Sequence, residues 1–287
     1  MEIKRAFELG REYYKESEYA DVNREMKMIL SGILDIEESY LIIHNDFDIS
    51  IDDEKKFFEI LERRKNGEPL QYILGHQFFY KYDFIVDEHV LIPRYDTEIS
   101  VEALLKVAKA GDEVLELGCG TGCVSISLAL ECPNLNIDCV DISEYALQNT
   151  LKNVEKYNCK NINVIKSDLY QNIDKKYDII YSNPPYIPTE DIKDLQKEVQ
   201  HEPMLALDGG ADGLDIYKRI VKDLDKYLKD KGFLILEIGY DQANDLVNLL
   251  KDYNTCVLKD LSGHDRVVIA TKGDMDVRKF RSFWGKI

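Results

Sequence analysis

Seven short apolar runs, separated by longer amphipathic segments, follow one another from residue 113 onward and limit the fold more than any other feature. Each run has the length of a strand and is rich in branched or aromatic residues. Strands that alternate with helices predict an α/β fold with a seven-stranded, mostly parallel, Rossmann-like sheet. Only "SGHD" joins the last two runs, which predicts an antiparallel last strand. The predicted strands are 113–117, 136–141, 161–167, 177–182, 232–238, 255–261 and 266–271.

The chain before this sheet has a different pattern. Residues 1–75 place apolar side chains at helical spacing, as at Met26, Ile29 and Leu30, and predict a small bundle of about four helices. Residues 76–98 are rich in aromatic and β-branched residues and predict a β-hairpin linker. A chain of 287 residues can form two cores. We therefore expect a helical domain (1–75), a hairpin linker (76–98) and an α/β domain (99–287).

Charge and cysteine pattern argue against several classes of function. The net charge of −17, from 37 basic and 54 acidic residues, disfavours binding to nucleic acid through its phosphates. The six cysteines include no C-x-x-C pair, so we expect reduced thiols and no metal site. No leader peptide and no apolar run near the roughly 18 residues of a membrane span is visible. We expect a cytoplasmic protein that binds neither nucleic acid nor membrane.

A glycine-rich loop follows the first predicted strand. Alternating glycines permit positive φ in a tight strand-to-helix turn and let a ligand approach the backbone. The dinucleotide fingerprint would need its third glycine at position 123, which is a cysteine, whereas the spacing E-x-G-x-G-x-G is that of S-adenosylmethionine sites. A carboxylate at the end of the second strand can accept both ribose hydroxyls of either cofactor. The loop predicts a nucleoside cofactor without deciding which. The candidate residues are Glu116, Gly118, Cys119, Gly120, Thr121, Gly122 and Asp141.

The segment Asn183-Pro184-Pro185-Tyr186 directly follows the fourth predicted strand. Proline supplies no N–H and keeps the preceding residue extended, so this segment should carry carbonyl oxygens that no sheet ladder uses. In a doubly wound sheet whose order reverses at its first strand, the fourth strand lies beside the first. We therefore expect this segment to open into the same crevice as the glycine loop.

Such a row of acceptors suits a planar substrate that carries an amino group. The Asn183 side-chain oxygen and the Pro184 carbonyl can accept both N–H groups of an amide or an aromatic amine. These bonds would direct the nitrogen toward a methyl sulfonium and stabilise the positive charge that develops during attack. Tyr186 can stack on the planar group. We assign Asn183, Pro184, Pro185 and Tyr186 to the catalytic site, with Asn183 also beside the cofactor.

With both motifs placed, the chain resembles the protein-(glutamine-N5) methyltransferases that act on peptide chain release factors. The resemblance covers nearly the whole sequence. Beyond the two motifs it rests on "EPLQYILG" (68–75), "VLIPRYDTE" (90–98), "EVQHEPMLALDGGADGLD" (198–215), "EIG" (237–239) and "DLSGHDR" (260–266).

The resemblance implies a helical substrate-binding domain, a hairpin linker and an S-adenosyl-L-methionine-dependent methyltransferase domain. The substrate would be the glutamine of a Gly-Gly-Gln motif, bound by Asn183–Tyr186. The glycine loop would hold the methionine part of the methyl donor, Asp141 its ribose, and Asp168 and Leu169 its adenine. Relatives often have an aromatic residue where this chain has Leu169, which weakens the expectation of adenine stacking.

Three alternatives stay open on the sequence. Asn-Pro-Pro-Tyr also resembles the motif of adenine-N6 methyltransferases, although the net charge and the lack of a basic recognition domain argue against a nucleic-acid substrate. A glutamine in a ribosomal protein is a second possible substrate. A binding module that has lost its activity is a third alternative, which the intact motifs disfavour.

Overall fold

The computed structural model describes residues 1–14 and 21–281. The chain folds into two compact units, Met1–Gly75 with Gln196–His201, and His76–Leu195 with the described residues from Glu202 onward. The helices are α1 (Ile3–Tyr13), α2 (Val22–Leu34), α3 (Glu38–Ile43), α4 (Ile51–Lys65), α5 (Leu70–Leu74), α6 (Glu98–Val107), α7 (Cys123–Glu131), α8 (Glu144–Tyr157), α9 (Lys197–Gln200), α10 (Met204–Leu207), α11 (Asp215–Tyr227), α12 (Ala243–Leu249) and α13 (Arg278–Arg281).

Nine strands form two sheets within the described residues. Short 3₁₀ turns lie at Tyr95–Thr97 and Thr189–Asp194. The strands are β1 (His76–Phe79), β2 (Tyr82–Ile85), β3 (Glu113–Leu117), β4 (Asn136–Asp141), β5 (Ile162–Lys166), β6 (Tyr177–Ser182), β7 (Leu228–Glu237), β8 (Asn254–Lys259) and β9 (Asp265–Thr271).

The first unit is a helical bundle around an apolar core that includes Met26, Leu30 and Phe57. In the described part of residues 1–75 the chain forms five helices, one more than the roughly four that the sequence predicts. The additional helix, α5, is a single short segment that ends at Leu74. The next residue, Gly75, has a φ of 78°, the left-handed conformation common after a helix. Helical spacing alone could not predict an element too short to show a period.

Residues 196–201 belong to this first unit, and Glu198 among them forms an ion pair with the buried Arg64. The Arg64 guanidinium is 6% exposed and donates to Glu25 at 2.8 Å and to Glu198 at 2.5 Å. Two carboxylates around one guanidinium satisfy its forked donors and offset the cost of burying the charge. The segment thus stays with the bundle although it is distant from it in sequence.

The second unit contains the β1–β2 hairpin and a seven-stranded sheet in the order β5-β4-β3-β6-β7-β9-β8. All neighbouring strands are parallel except β9, which runs antiparallel to both β7 and β8. The expected mostly parallel sheet with an antiparallel last strand is confirmed. The strand order reverses at β3, so the carboxyl ends of β3 and β6 open into one crevice.

Side chains on the central strands alternate between two apolar layers, which explains their continuous apolar runs. Val114 and Ile179 lie in one layer, and Leu115 and Ile180 lie in the other. Strand β7 begins at Leu228, earlier than expected, because Leu228 already pairs with Tyr177 of β6. The register then shifts across the charged stretch "KDKG" before Phe233 pairs with Ile179. None of the helices within the described ranges is both long and apolar enough to cross a membrane.

Candidate active site

The backbone of the glycine loop requires glycine. The φ angle is 74° at Gly118, 55° at Gly120 and 74° at Gly122, which other residues rarely adopt. A Cβ at Gly118 or Gly120 would meet no described atom within 4 Å, whereas one at Gly122 would lie 2.8 Å from the Thr150 methyl group. The loop therefore faces open space with its first two glycines and packs on α8 with the third.

The loop is tied to the end of β4, and this brings Asp141 beside it. The amides of residues 118 and 119 both donate to the Val140 carbonyl, at 2.8 and 3.0 Å. One Asp141 carboxylate oxygen accepts from the Gly120 amide at 3.0 Å, and the other accepts from the Ser143 amide at 2.9 Å. Burial raises the pKa of this carboxyl. Each oxygen retains capacity for a further donor, such as a ribose hydroxyl.

The other polar side chains of this motif support the loop itself. The Glu116 carboxylate accepts from the Ser125 amide at 3.2 Å, in the first turn of α7, and burial raises the pKa of Glu116 to about 8. The Cys119 sulfur lies 3.3 Å from a threonine hydroxyl of α8. The Thr121 hydroxyl accepts from the Cys123 amide at 3.3 Å. These contacts fix the shape of the turn.

The segment after β6 carries hydrogen-bond acceptors that the described part of the chain leaves open. The Ser182 hydroxyl donates to the Leu117 carbonyl at 2.7 Å, which joins the ends of β6 and β3. Within residues 1–14 and 21–281, no hydrogen bond involves the Asn183 side chain or the Pro184 carbonyl. We call residues 183–186 the acceptor row.

A second loop, residues 207–213, packs directly against the acceptor row, and we call it the support loop. A Cβ at Gly209 would lie 2.8 Å from the Pro185 carbonyl oxygen. A Cβ at Gly213, where φ is 70°, would lie 2.3 Å from the Tyr186 carbonyl oxygen. In the sequence, "LDGGADGLD" contributes to the family resemblance but gives no sign of this role. Its glycines allow two backbones to approach more closely than any side chain would permit.

The glycine loop and the acceptor row share one cavity of about 210 Å³. Of the predicted site residues, Gly122 and Tyr186 are not among the described residues that line it. The Tyr186 ring lies instead beside Gly239. The predicted residues that do line the cavity are Glu116, Gly118, Cys119, Gly120, Thr121, Asp141, Asp168, Leu169, Asn183, Pro184 and Pro185.

Asp168 and Leu169 reach the cavity from the turn after β5. Leu169 has a φ of 50°, an unusual conformation for a residue with a side chain, and its carbonyl accepts from the Ser167 hydroxyl at 2.7 Å. Asp168 accepts from Arg219 at 2.7 Å. Arg219 lines the cavity, and no motif in the sequence indicated it.

Other polar residues near the cavity carry little or no signal in the sequence. Arg94 lines the cavity and pairs with the buried Glu202 carboxylate, a partner more than a hundred residues away that no local pattern indicates. Thr97 also lines the cavity, and its hydroxyl donates at 3.0 Å to the buried Glu237. Burial raises the pKa of Glu237 to about 7. Only the fold brings these distant residues together.

The fold and the paired motifs define a class of enzyme. Residues 95–250 match the family model described as Methyltransferase small domain, and residues 5–75 match the PrmC N-terminal domain. A solved methyltransferase from Pyrococcus furiosus shares the fold at 20% identity and a TM-score of 0.50, covering 67% of this chain and 89% of that one. The chain is an S-adenosylmethionine-dependent methyltransferase.

Similar curated proteins define the family within that class. A release factor glutamine methyltransferase of Fusobacterium nucleatum subsp. nucleatum is 40% identical over 270 residues, covering 91% of this chain and 76% of that protein. The protein of the same name in Geobacter sulfurreducens is 36% identical over 271 residues, covering 93% and 95%. The chain belongs to the release factor glutamine methyltransferase family, as the sequence resemblance indicated.

Proposed function

We propose that this enzyme methylates the side-chain amide nitrogen of a glutamine in a peptide chain release factor. The observation that carries the proposal is the acceptor row, because Asn183 and Pro184, whose oxygens have no described hydrogen-bond partner, line the same cavity as the glycine loop. The names of the relatives support the same substrate. We further propose that the glutamine is that of a Gly-Gly-Gln motif, and that the reaction serves translation termination in the cytoplasm.

Two features of the protein fit S-adenosyl-L-methionine. Gly118 and Gly120 face open space with bare backbone, and Asp141 retains acceptor capacity. When bound, the cofactor supplies a methyl group on a sulfonium and leaves as a thioether. The loop from Gly118 to Gly122 would hold its methionine part and Asp141 its ribose. Asp168 and Leu169 would lie at its adenine.

The acceptor row would then activate an amide nitrogen, which is a weak nucleophile because its lone pair is delocalised into the carbonyl. Asn183 Oδ1 and the Pro184 carbonyl would each accept one of its N–H groups and turn the lone pair toward the methyl carbon. As the amide nitrogen takes up the methyl group, positive charge would develop on that nitrogen, beside the two oxygens. The two oxygens stabilise that charge more than they stabilise the ground state. The nitrogen, now acidic, releases a proton to water.

No basic side chain is needed for this step, so the rate depends on position and alignment. Tyr186 would support the row from outside the cavity, and its stacking on the substrate stays a prediction. Two glycines before the target would help, because a segment without side chains can enter a narrow crevice between loops.

The test is transfer of a labelled methyl group to a purified release factor, to its Gly-Gly-Ala version, to ribosomal protein and to bulk nucleic acid. We expect label on the intact release factor alone. Label on the Gly-Gly-Ala version would contradict the choice of glutamine. Label mainly on nucleic acid or on ribosomal protein would contradict the choice of substrate while leaving the methyltransferase class intact.

A further inference from the structure

The Gln242 side chain makes three hydrogen bonds behind the acceptor row. It is 8% exposed. Its Oε1 accepts from the Gly239 amide at 2.9 Å, and its Nε2 donates to the Tyr186 carbonyl at 3.0 Å and to the Gly213 carbonyl at 3.2 Å. One buried carboxamide therefore joins the acceptor row, the support loop and the turn after β7.

The surroundings are shaped around this carboxamide. Both of its N–H donors are used, and so is its oxygen. A Cβ at Gly213 would lie 2.8 Å from Nε2, and one at Gly239 would lie 3.0 Å from Oε1. Any side chain at either glycine would press on Gln242.

We propose that Gln242 is a positioning residue for methyl transfer, which sets where the oxygens of Asn183 and Pro184 lie in the cavity. This inference rests on the function proposed above. Tyr186 is two residues from Pro184, and the φ angles of both Pro184 and Pro185 are fixed by their rings. A hydrogen bond that holds the Tyr186 carbonyl therefore also restricts the oxygens upstream.

A second buried carboxamide holds the glycine loop in a similar way and supplies a matched comparison. Asn153 is fully buried. Its Nδ2 donates to the carbonyls of Thr121 and Ile85, both at 3.0 Å, and its oxygen accepts from the Ile85 amide at 2.8 Å. Loss of Asn153 should disturb the methyl-donor side of the cavity, whereas loss of Gln242 should disturb the acceptor side.

A third carboxamide provides a control away from the cavity. Asn161 precedes β5 and donates to the Leu135 carbonyl at 3.0 Å, at the edge of the sheet where the parallel strands begin. The experiment compares Gln242→Met, Asn153→Leu and Asn161→Leu in the full chain. It measures kcat and KM with release factor, the Kd for S-adenosylmethionine by calorimetry, and Tm.

We expect Gln242→Met to lower kcat about tenfold or more, since small displacements of aligned groups are costly, while the donor Kd changes less than about twofold. We expect Asn153→Leu to weaken donor binding about tenfold, with kcat at saturating donor within about twofold of wild type. Asn161→Leu should change neither. If Gln242→Met does not fold, Gln242→Glu replaces it, because it keeps the acceptor for Gly239 and loses both donors.

An unchanged kcat in the Gln242 variants would overturn the inference, and so would equal losses in kcat, donor affinity and Tm. That failure is distinct from failure of the proposed function. In the latter case the wild-type enzyme itself would not methylate the release factor.

Discussion

The glycine loop and the acceptor row line the same cavity, but they differ in the hydrogen bonds that fix their positions. The loop uses its own backbone amides, which donate to Val140 and Asp141 at the end of the neighbouring strand β4. The acceptor row leaves the oxygens of Asn183 and Pro184 open, and it is held from behind by the support loop and by Gln242, which donates to the Tyr186 carbonyl. A site that binds a constant cofactor can be closed on itself. A site that must receive part of another protein keeps its hydrogen-bonding groups free.

The sharpest way to test this difference is to remove one open acceptor. Asn183→Ala should lower kcat by about 10²- to 10³-fold, the usual loss for one group that stabilises transition-state charge. Because the glycine loop is held separately, the Kd for S-adenosylmethionine should change by less than about threefold. Steady-state kinetics and calorimetry on the same preparation would check both values. A large loss of donor affinity would show that the two motifs are not separate.

The second prediction concerns Asp141, the carboxylate beside the glycine loop. In Asp141→Asn, the new NH₂ group would face the amides of Gly120 or Ser143, which are themselves donors. We expect the KM for S-adenosylmethionine to rise about 10- to 100-fold, as one or two hydrogen bonds to a charged acceptor are lost. The kcat at saturating donor should stay within about threefold of wild type. A fall in kcat without a change in the KM for S-adenosylmethionine would contradict a donor-binding role for Asp141.

The glycines of the two regions should also differ in their response to one substitution. Both Gly120 and Gly213 have positive φ, so alanine strains each backbone by roughly 1–2 kcal/mol. At Gly120 the methyl group enters open space and should raise the KM for the donor. At Gly213 it meets the Tyr186 carbonyl and should lower kcat about tenfold. Steady-state kinetics of Gly120→Ala and Gly213→Ala would check the assignment, and identical profiles would contradict it.

The difference between the regions also explains how far the sequence could predict the site. The glycine loop and Asp141 are recognisable because alternating glycines after one strand, and a carboxylate that ends the next strand, form a spacing pattern in the sequence. The open oxygens of Asn183 and Pro184 could be anticipated because proline removes ladder partners. The residues that support the acceptor row could not be anticipated from the sequence. Gly213 and Gln242, for example, come close to it only in the folded chain. The mostly parallel sheet with its antiparallel last strand followed from the alternating pattern, whereas the short helix α5 and the start of β7 did not.

A smaller effect concerns stability and pH. Burial raises the pKa of Glu116, below the glycine loop, to about 8, and that of Glu237, near the acceptor row, to about 7, from an ordinary value of 4.5. Each group keeps its proton longer in the folded chain, so its contribution to stability is complete below the unfolded pKa and is lost as pH rises through the folded pKa. Glutamine at either position does not ionise and escapes that loss.

The Tm of Glu116→Gln relative to wild type should therefore increase from about pH 5 to about pH 8. The Tm of Glu237→Gln relative to wild type should also increase from about pH 5, but should stop increasing near pH 7. Thermal unfolding across this range would check both. A relative Tm that is flat with pH would mean that the carboxyls are already ionised in the folded protein.

The most direct test of two separately held halves is a double-mutant cycle with Asp141→Asn and Asn183→Ala, read as kcat/KM for S-adenosylmethionine in methyl transfer to saturating release factor. Independent halves predict that the two losses in transition-state stabilisation add to within about 0.5 kcal/mol. A coupling well beyond about 1 kcal/mol would contradict the account, because it would mean that the glycine loop and the acceptor row act as one unit.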